Sequence, residues 1–217
     1  LKYFIALCNS KVSMEFLSFL APTMDYNAGA IGKIPVIYDQ SIIPEVERLV
    51  DEGIFISKED WDSFEESWDY QGSPLIRPVR LISDAFTQWE NECNIRFARL
   101  KKNEERLNEI FIQLYGLTGE ITPNVDDEFV TVRIADLHRE IVGLISYAVG
   151  CMMGRYSLDV DGLIFAGGEW DSSKYRSFIP DHDGILPICD DDYFTDDIVG
   201  RFVSFVETVY GNETLEE

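Results

Sequence analysis

Basic residues are scarce in this chain: 18 Lys and Arg stand against 40 Asp and Glu among 217 residues, a formal net charge of −22. A nucleic-acid duplex is a dense anion, so the average field of such a chain repels it, and any contact with nucleic acid has to be local. Long apolar runs are missing too. None approaches the roughly 20 residues that span a bilayer, and the opening LKYFIALCNSK lacks the charged, apolar and small-residue order of a signal peptide, so a cytoplasmic chain without membrane contact is expected. The four cysteines (Cys8, Cys93, Cys151, Cys189) lie far apart with no C-x-x-C pair, which argues against a zinc ribbon or disulfide framework and predicts reduced, mostly buried thiols. Two histidines, His138 and His182, are too few and too distant in sequence to suggest a zinc site. GAIGK, Gly29 to Lys33, has two residues between its glycines where a phosphate loop needs four, and no Ser or Thr follows the lysine.

What is present is the composition of a globular protein, 46% apolar, 13% aromatic and 27% charged, in a length between one large domain and two small ones. The chain opens without an initiator Met and closes on NETLEE, which reads as the first turn of another helix; a piece of a longer protein is expected. Charge is unevenly spread. Residues 1–76 carry 5 basic and 13 acidic side chains, 77–106 carry 7 and 5, and 107–217 carry 6 and 22, so the middle stretch alone is net positive.

Element signals are mostly helical. LKYFIALCNSKVSMEFLSFLAP reads as two short helices broken at Asn9-Ser10, with Ser10 as N-cap. DYNAGAIGKIPVI has the glycines and β-branched residues of a short strand or hairpin near 25–37, burying Ile31, Ile34 and Val36. A helix from Ser41 is expected to stop at Gly53, and another to start around Ser57 and Asp60 with Trp61, Phe64 and Trp68 on one face. Apolar residues at Phe86, Trp89, Cys93, Phe97, Leu100, Leu107, Ile110, Phe111 and Leu114 predict one helix over 83–115, long enough to brace several parts. Further helices are expected over 134–153 and from Thr195 to Tyr210, the last with Asp196 and Asp197 at its positive end and Gly211 ending it. The fold class is mainly α with a small β element.

Two clusters carry chemistry. On the long helix Arg96, Arg99, Lys102 and Arg106 advance by three, three and four residues and form one ridge, which with Lys33 could meet phosphates; the plainer reading is a solvated face in which Glu92 pairs with Arg96. The string GRYSLDVDGLIFAGGEW, Gly154 to Trp170, aligns in part with a calcium loop through Ser157, Asp159, Asp161 and Gly162, but Gly168 stands where the bidentate acid belongs. The string is instead expected to be a rigid corner, with no metal. In it Gly154 ends a helix in the left-handed conformation, Arg155 pairs with Asp159 or Asp161, Gly167 and Gly168 let backbones approach closely, and Trp170 covers the core. DHDG and CDDD near 181–192 read as solvated loop and helix caps. Cys151 lies on an apolar face, where a thiol is inert.

Longer strings together resemble a known family. ISKEDWDSFEESWDY, NEERLNEIFIQLYGLTGEITPNVDDEFVTVRIAD, ISYAVGCMMGRYSLDVDGLIFAGGEWDSSKY and ILPICDDDYFTDDIVGRFVSFVETVYGNETLEE are similar, in the same order, to the C-terminal half of the adenine-specific DNA methyltransferases of BREX phage-defence systems, the PglX type. The resemblance runs from about Ile34 to the end. Upstream, LCNSKVSMEFLSFLAPTMDYNAGAIGKIPVI looks like the closing segment of target-recognition regions in related restriction-modification methyltransferases. The resemblance therefore implies residues 1–40 as the end of a target-recognition-like region and 41–217 as a helical region of the C-terminal half.

That family transfers a methyl group from S-adenosylmethionine to the exocyclic amine of a flipped adenine, using an Asn-Pro-Pro-Tyr type loop. The eight prolines here never stand side by side, so that loop is absent and no catalytic or cofactor residue carries over. The resemblance implies a non-catalytic segment for target recognition or scaffolding. Its full-length protein would use S-adenosylmethionine and bind duplex DNA and other defence-system proteins. The rival is an acidic protein-interaction scaffold that does not touch DNA, and a third reading, an independent enzyme, lacks a convergent polar set.

Overall fold

The computed structural model describes residues 1–21, 28–189, 194 and 196–216. They form two compact units, residues 1–58 with 95–133 and residues 59–94 with 134–217. The first unit opens with α1 (Lys2–Cys8) and α2 (Lys11–Leu20). They break at Ser10, whose hydroxyl accepts from the Ser13 amide and donates to the Leu7 carbonyl. α3 (Ala28–Ile31) is a single turn. α4 (Ile43–Asp62) and α5 (Ile82–Leu114) follow, with residues 43–58 and 95–114 in this unit. Tyr3, Leu7 and Val12 pack with Val46, Leu49 and Val50 of α4 and Ile110 and Phe111 of α5. Ile56 and Leu100 pack with Val125, Val130 and Val132 of the following loop. Asn108, buried on α5, holds two connections in place: its Oδ1 accepts from the Lys11 amide (2.9 Å) and its Nδ2 donates to the Pro123 carbonyl (3.1 Å).

The small β element expected near residues 25–37 is not there. Pro22 and residues 25–27 lie outside the described residues, Ala28–Ile31 is helical, and 35–39 have no strand partner. Among the described residues the β pairing is one isolated bridge, Thr118 with Ile121. The backbone of 35–37 is satisfied by side chains instead. Tyr115 donates its hydroxyl to the Pro35 carbonyl (2.5 Å) and accepts from the Ile37 amide (3.3 Å), and Tyr3 donates to the Ile37 carbonyl. A stretch bonded in this way needs no neighbouring strand. Ile34 is buried, while Ile31 and Val36 are exposed.

α4 also departs from expectation, running through Gly53 to Asp62 with no second start at Ser57 and Asp60. Val46, Leu49, Val50 and Ile56 keep one buried face on both sides of the glycine, and that burial offsets the roughly 1 kcal/mol an internal glycine costs. Because α4 ends at Asp62, Trp61, Phe64 and Trp68 do not share a buried helical face, and Trp61 and Trp68 are exposed.

The second unit holds residues 82–94 of α5, α6 (Leu137–Met152) and α7 (Ile198–Tyr210). α6 starts where the Asp136 carboxylate accepts from the Arg139 amide (2.8 Å), and α7 where Asp197 accepts from the Gly200 amide (2.6 Å). Thr195 and residues 190–192, part of the expected α7 start and of the CDDD run, lie outside the described residues. α6 packs on α7. Trp89 and Cys93 of α5, Leu144, Tyr147, Cys151 and Met152 of α6, and Phe205 and Tyr210 of α7 form the core with Tyr70, Leu75, Tyr156 and Phe178 from the loops. Burial pushes the Cys151 thiol up to about 12, which keeps it an unreactive core group; Cys93 is buried as well, whereas Cys8 is exposed. No helix among the described residues is long and apolar enough to cross a membrane.

Candidate functional site

In the first unit the ridge on α5 meets carboxylates. Glu45 and Glu52 stand seven positions apart on α4, and Arg99 and Arg106 stand seven apart on α5, so each pair lies on one helix face. They join in antiparallel order. Arg106 donates from Nε and Nη2 to both Glu45 oxygens (2.8 and 3.2 Å) and from Nη1 to Glu109 (3.0 Å), and Arg99 donates from Nε to Glu52, which also receives Arg48 at 3.3 Å. The Arg106 hydrogen bonds hold the Glu45 carboxyl below its ordinary range, and the Arg99 bond does the same for Glu52. Both pairs are partly open to water, and the bidentate Arg106–Glu45 pair is worth at most about 1 kcal/mol.

Arg99, Lys102 and Arg106 line one groove of about 500 Å³ together with Arg48, Glu45, Glu105, Glu109, Leu49 and Asn103. Lys102 is exposed. Arg96 is half-buried, and Lys33 is exposed on the turn after α3; neither lines the groove. Glu92 is bound bidentately by Arg77 in the second unit (2.6 and 2.8 Å). The residues that sequence reasoning missed are Glu45, Glu52 and Glu109. The matching seven-residue spacings of opposite charge were visible in the sequence, but the pairing of the two helices was not.

The corner in the second unit is built differently. Gly154 has φ 75°, the Arg155 amide donates to the Gly150 carbonyl (2.8 Å), and the Gly154 amide donates to the Cys151 carbonyl (3.1 Å), the pair of bonds that closes a helix on a left-handed residue. Trp170 lies over this glycine, stacked on Tyr175 (centroids 4.7 Å apart, 6° between planes) and edge-on to Phe165. The Tyr175 hydroxyl donates to the Gly154 carbonyl (2.6 Å). Gly167 and Gly168 have φ of 119° and 94°, but a Cβ at either would meet nothing within 4 Å. Their requirement is conformational, not the close approach expected of them.

Arg155 does not pair with Asp159 or Asp161. Its guanidinium lies over the Tyr156 ring and 3.8 Å from Glu65. Asp159 is the organising acid: it accepts from the Arg176 amide (2.6 Å), the Ser177 amide (2.9 Å) and the Ser177 hydroxyl (2.6 Å), and these bonds hold its carboxyl below the ordinary range. Asp161 is exposed, and among the described residues no group of three or more His, Cys, Asp or Glu is placed to hold a metal. Asp159→Ala is therefore expected to destabilise the protein by about 1 kcal/mol in urea unfolding, and Asp161→Ala by less than about 0.5. Because the folded-state pKa of Asp159 is depressed, its contribution is present at neutral pH and fades as pH falls through the carboxylate range. The variant should accordingly lose less stability on acidification than the parent.

Comparison with known proteins places these features in context. The chain is 44% identical over 225 residues to the adenine-specific methyltransferase PglX of Lacticaseibacillus casei (strain Zhang), a match covering 100% of this chain and 19% of that protein. It is 33% identical over 237 residues to the adenine-specific methyltransferase BrxX of Escherichia coli O9:H4 (strain HS), covering 98% of this chain and 19% of that protein. The similarity thus extends upstream of Ile34, where the resemblance was expected to begin, and the chain spans about a fifth of the length of these relatives. No family model matches the chain.

Proposed function

Because the chain matches a segment of the PglX-type adenine-specific methyltransferases along its whole length, we propose that it is a non-catalytic bracing segment of an S-adenosylmethionine-dependent adenine-specific DNA methyltransferase of a BREX phage-defence system. The observation that carries the bracing role is the antiparallel ladder of Glu45 with Arg106 and Glu52 with Arg99. A ridge already engaged by its own carboxylates holds two helices together and has little charge left for phosphates, in a chain whose net charge of −22 opposes DNA. DNA is bound by the full-length protein through other parts. The residues here do not fit S-adenosylmethionine: the described residues contain no sheet from whose strand end a glycine turn could cradle the cofactor, and the groove is lined by opposed charges and not by an apolar slot.

The test is a charge swap in the full-length methyltransferase. Arg99→Glu should lower the melting temperature, Glu52→Arg in the same chain should restore it, and neither should change the slope of log affinity for duplex DNA against log salt. Lys102→Glu probes separately the exposed lysine of the ridge, which is not part of the Glu45–Arg106 and Glu52–Arg99 ladder. A salt slope that falls by about one for each removed cation would overturn the bracing reading and make the ridge a phosphate contact.

A further inference from the structure

The last turn of α4 and the turns that follow it, residues 59–69 of the second unit, present a tryptophan wholly to water. Trp68 is 102% exposed and Trp61 is 52% exposed. The exposure does not come from a loose chain. Ser67 is buried, its hydroxyl donating to Asp62 (2.7 Å) and accepting from the Asp69 amide (3.1 Å). Two residues on, Tyr70 is buried edge-on against Tyr147 and Tyr156. Earlier in the segment Glu65 accepts from the Ser146 hydroxyl (2.6 Å) and the Tyr156 hydroxyl (2.9 Å). An indole held out from a fixed turn loses little entropy on being covered, and tryptophan is the side chain most often found at the energetic centre of protein contacts.

The charge around it selects the occupant. Residues 59–69 contain Glu59, Asp60, Asp62, Glu65, Glu66 and Asp69 and no basic residue; Arg139 lies over Phe64 and Arg155 beside Glu65, the acids outnumber these arginines, and Glu59, Glu66 and Asp69 are exposed. Such a surface repels a nucleic-acid backbone and attracts arginine or lysine, whose cation can lie on the indole face while carboxylates accept its protons. A DNA-binding protein must carry cationic surface, and this chain at −22 does not supply it. The curated relatives are about five times longer than the part matched.

We propose that the Trp68 turn is a docking surface for a basic, Arg- or Lys-bearing surface on the remainder of the methyltransferase polypeptide, an inference that rests on reading this chain as a segment of such an enzyme.

Hydroxyl-radical footprinting tests it, comparing the oxidation rate of Trp68 in the 217-residue chain with that in the full-length methyltransferase. Trp68 is expected to oxidise at least about tenfold more slowly in the full-length protein, as burial in an interface core requires, and the Glu66→Lys/Asp69→Lys variant, shown folded by its circular dichroism, should lose that protection. Equal rates in the two proteins overturn the proposal. Protection that appears only when duplex DNA is added overturns it in favour of a nucleic-acid contact, and protection that survives the charge reversal refutes a basic occupant. Failure of the segment reading has a different signature: undiminished methylation by the polypeptide lacking this segment, whatever the oxidation of Trp68.

Discussion

Gly150→Ala is expected to cost about 3 kcal/mol, the upper end of what overpacking a well-filled site costs. A Cβ on Gly150 would lie 2.4 Å from Tyr156 Cδ2 and 2.8 Å from its Cε2. The ring has nowhere to go: it stacks on Tyr147 at 5.2 Å, meets Tyr70 edge-on at 5.7 Å, and its hydroxyl donates to Glu65 at 2.9 Å. Gly143, on the same helix, is the internal control. A Cβ there meets nothing within 4 Å, so Gly143→Ala should gain about 0.5–1 kcal/mol from helix propensity alone. Urea unfolding of the two variants should therefore move in opposite directions. If Gly150→Ala stabilises as Gly143→Ala does, the tyrosine stack is not the constraint described.

Gly154→Ala carries the second large effect, and it can be divided into two causes. An L-residue at φ 75° costs roughly 1–2 kcal/mol in backbone strain. Its Cβ would also lie 2.6 Å from Trp170 Cη2 and 2.8 Å from Cζ3, displacing an indole stacked on Tyr175. Trp170→Ala removes the second cause and leaves the first. Gly154→Ala should thus be about 1 kcal/mol less costly in the Trp170→Ala background than in the parent, a coupling that a double-mutant cycle reads directly. Tryptophan fluorescence of the single Gly154→Ala variant should change as the stack opens. Strict additivity of the two substitutions would show that the indole does not press on the glycine.

Both effects involve the string from Gly154 to Trp170, through Tyr156 packed on Gly150 and Trp170 packed on Gly154, which the sequence predicts to be a structural corner and not a calcium loop. The conformational part of the corner was legible in sequence, because a glycine after an apolar helix that ends on Met152 and Met153 has few other uses. Its chemistry was only half legible. Asp159 and Asp161 are equivalent by composition and spacing, and what separates them is that residues 176 and 177 return to place two amides and a hydroxyl around Asp159.

The same division holds for the rest of the molecule. Local information determined the break at Ser10, the extent of α5 to within a residue, the presence of α6 and α7, each of which begins three residues after its expected start, and the ridge on α5, because caps and helical periodicity act over at most a few turns. Long stretches of sequence also carried the methyltransferase resemblance. Tertiary structure alone decided the remainder. It carried α4 through Gly53, because burial on both sides outweighs one residue's propensity. It bonded the 35–37 backbone with the hydroxyls of Tyr3 and Tyr115 where a strand was expected, because any donor and acceptor of suitable geometry satisfies a peptide group. And it turned a ridge that sequence offers to phosphates toward Glu45 and Glu52, because which opposite charge an arginine meets depends on the helix packed beside it and not on its own helix.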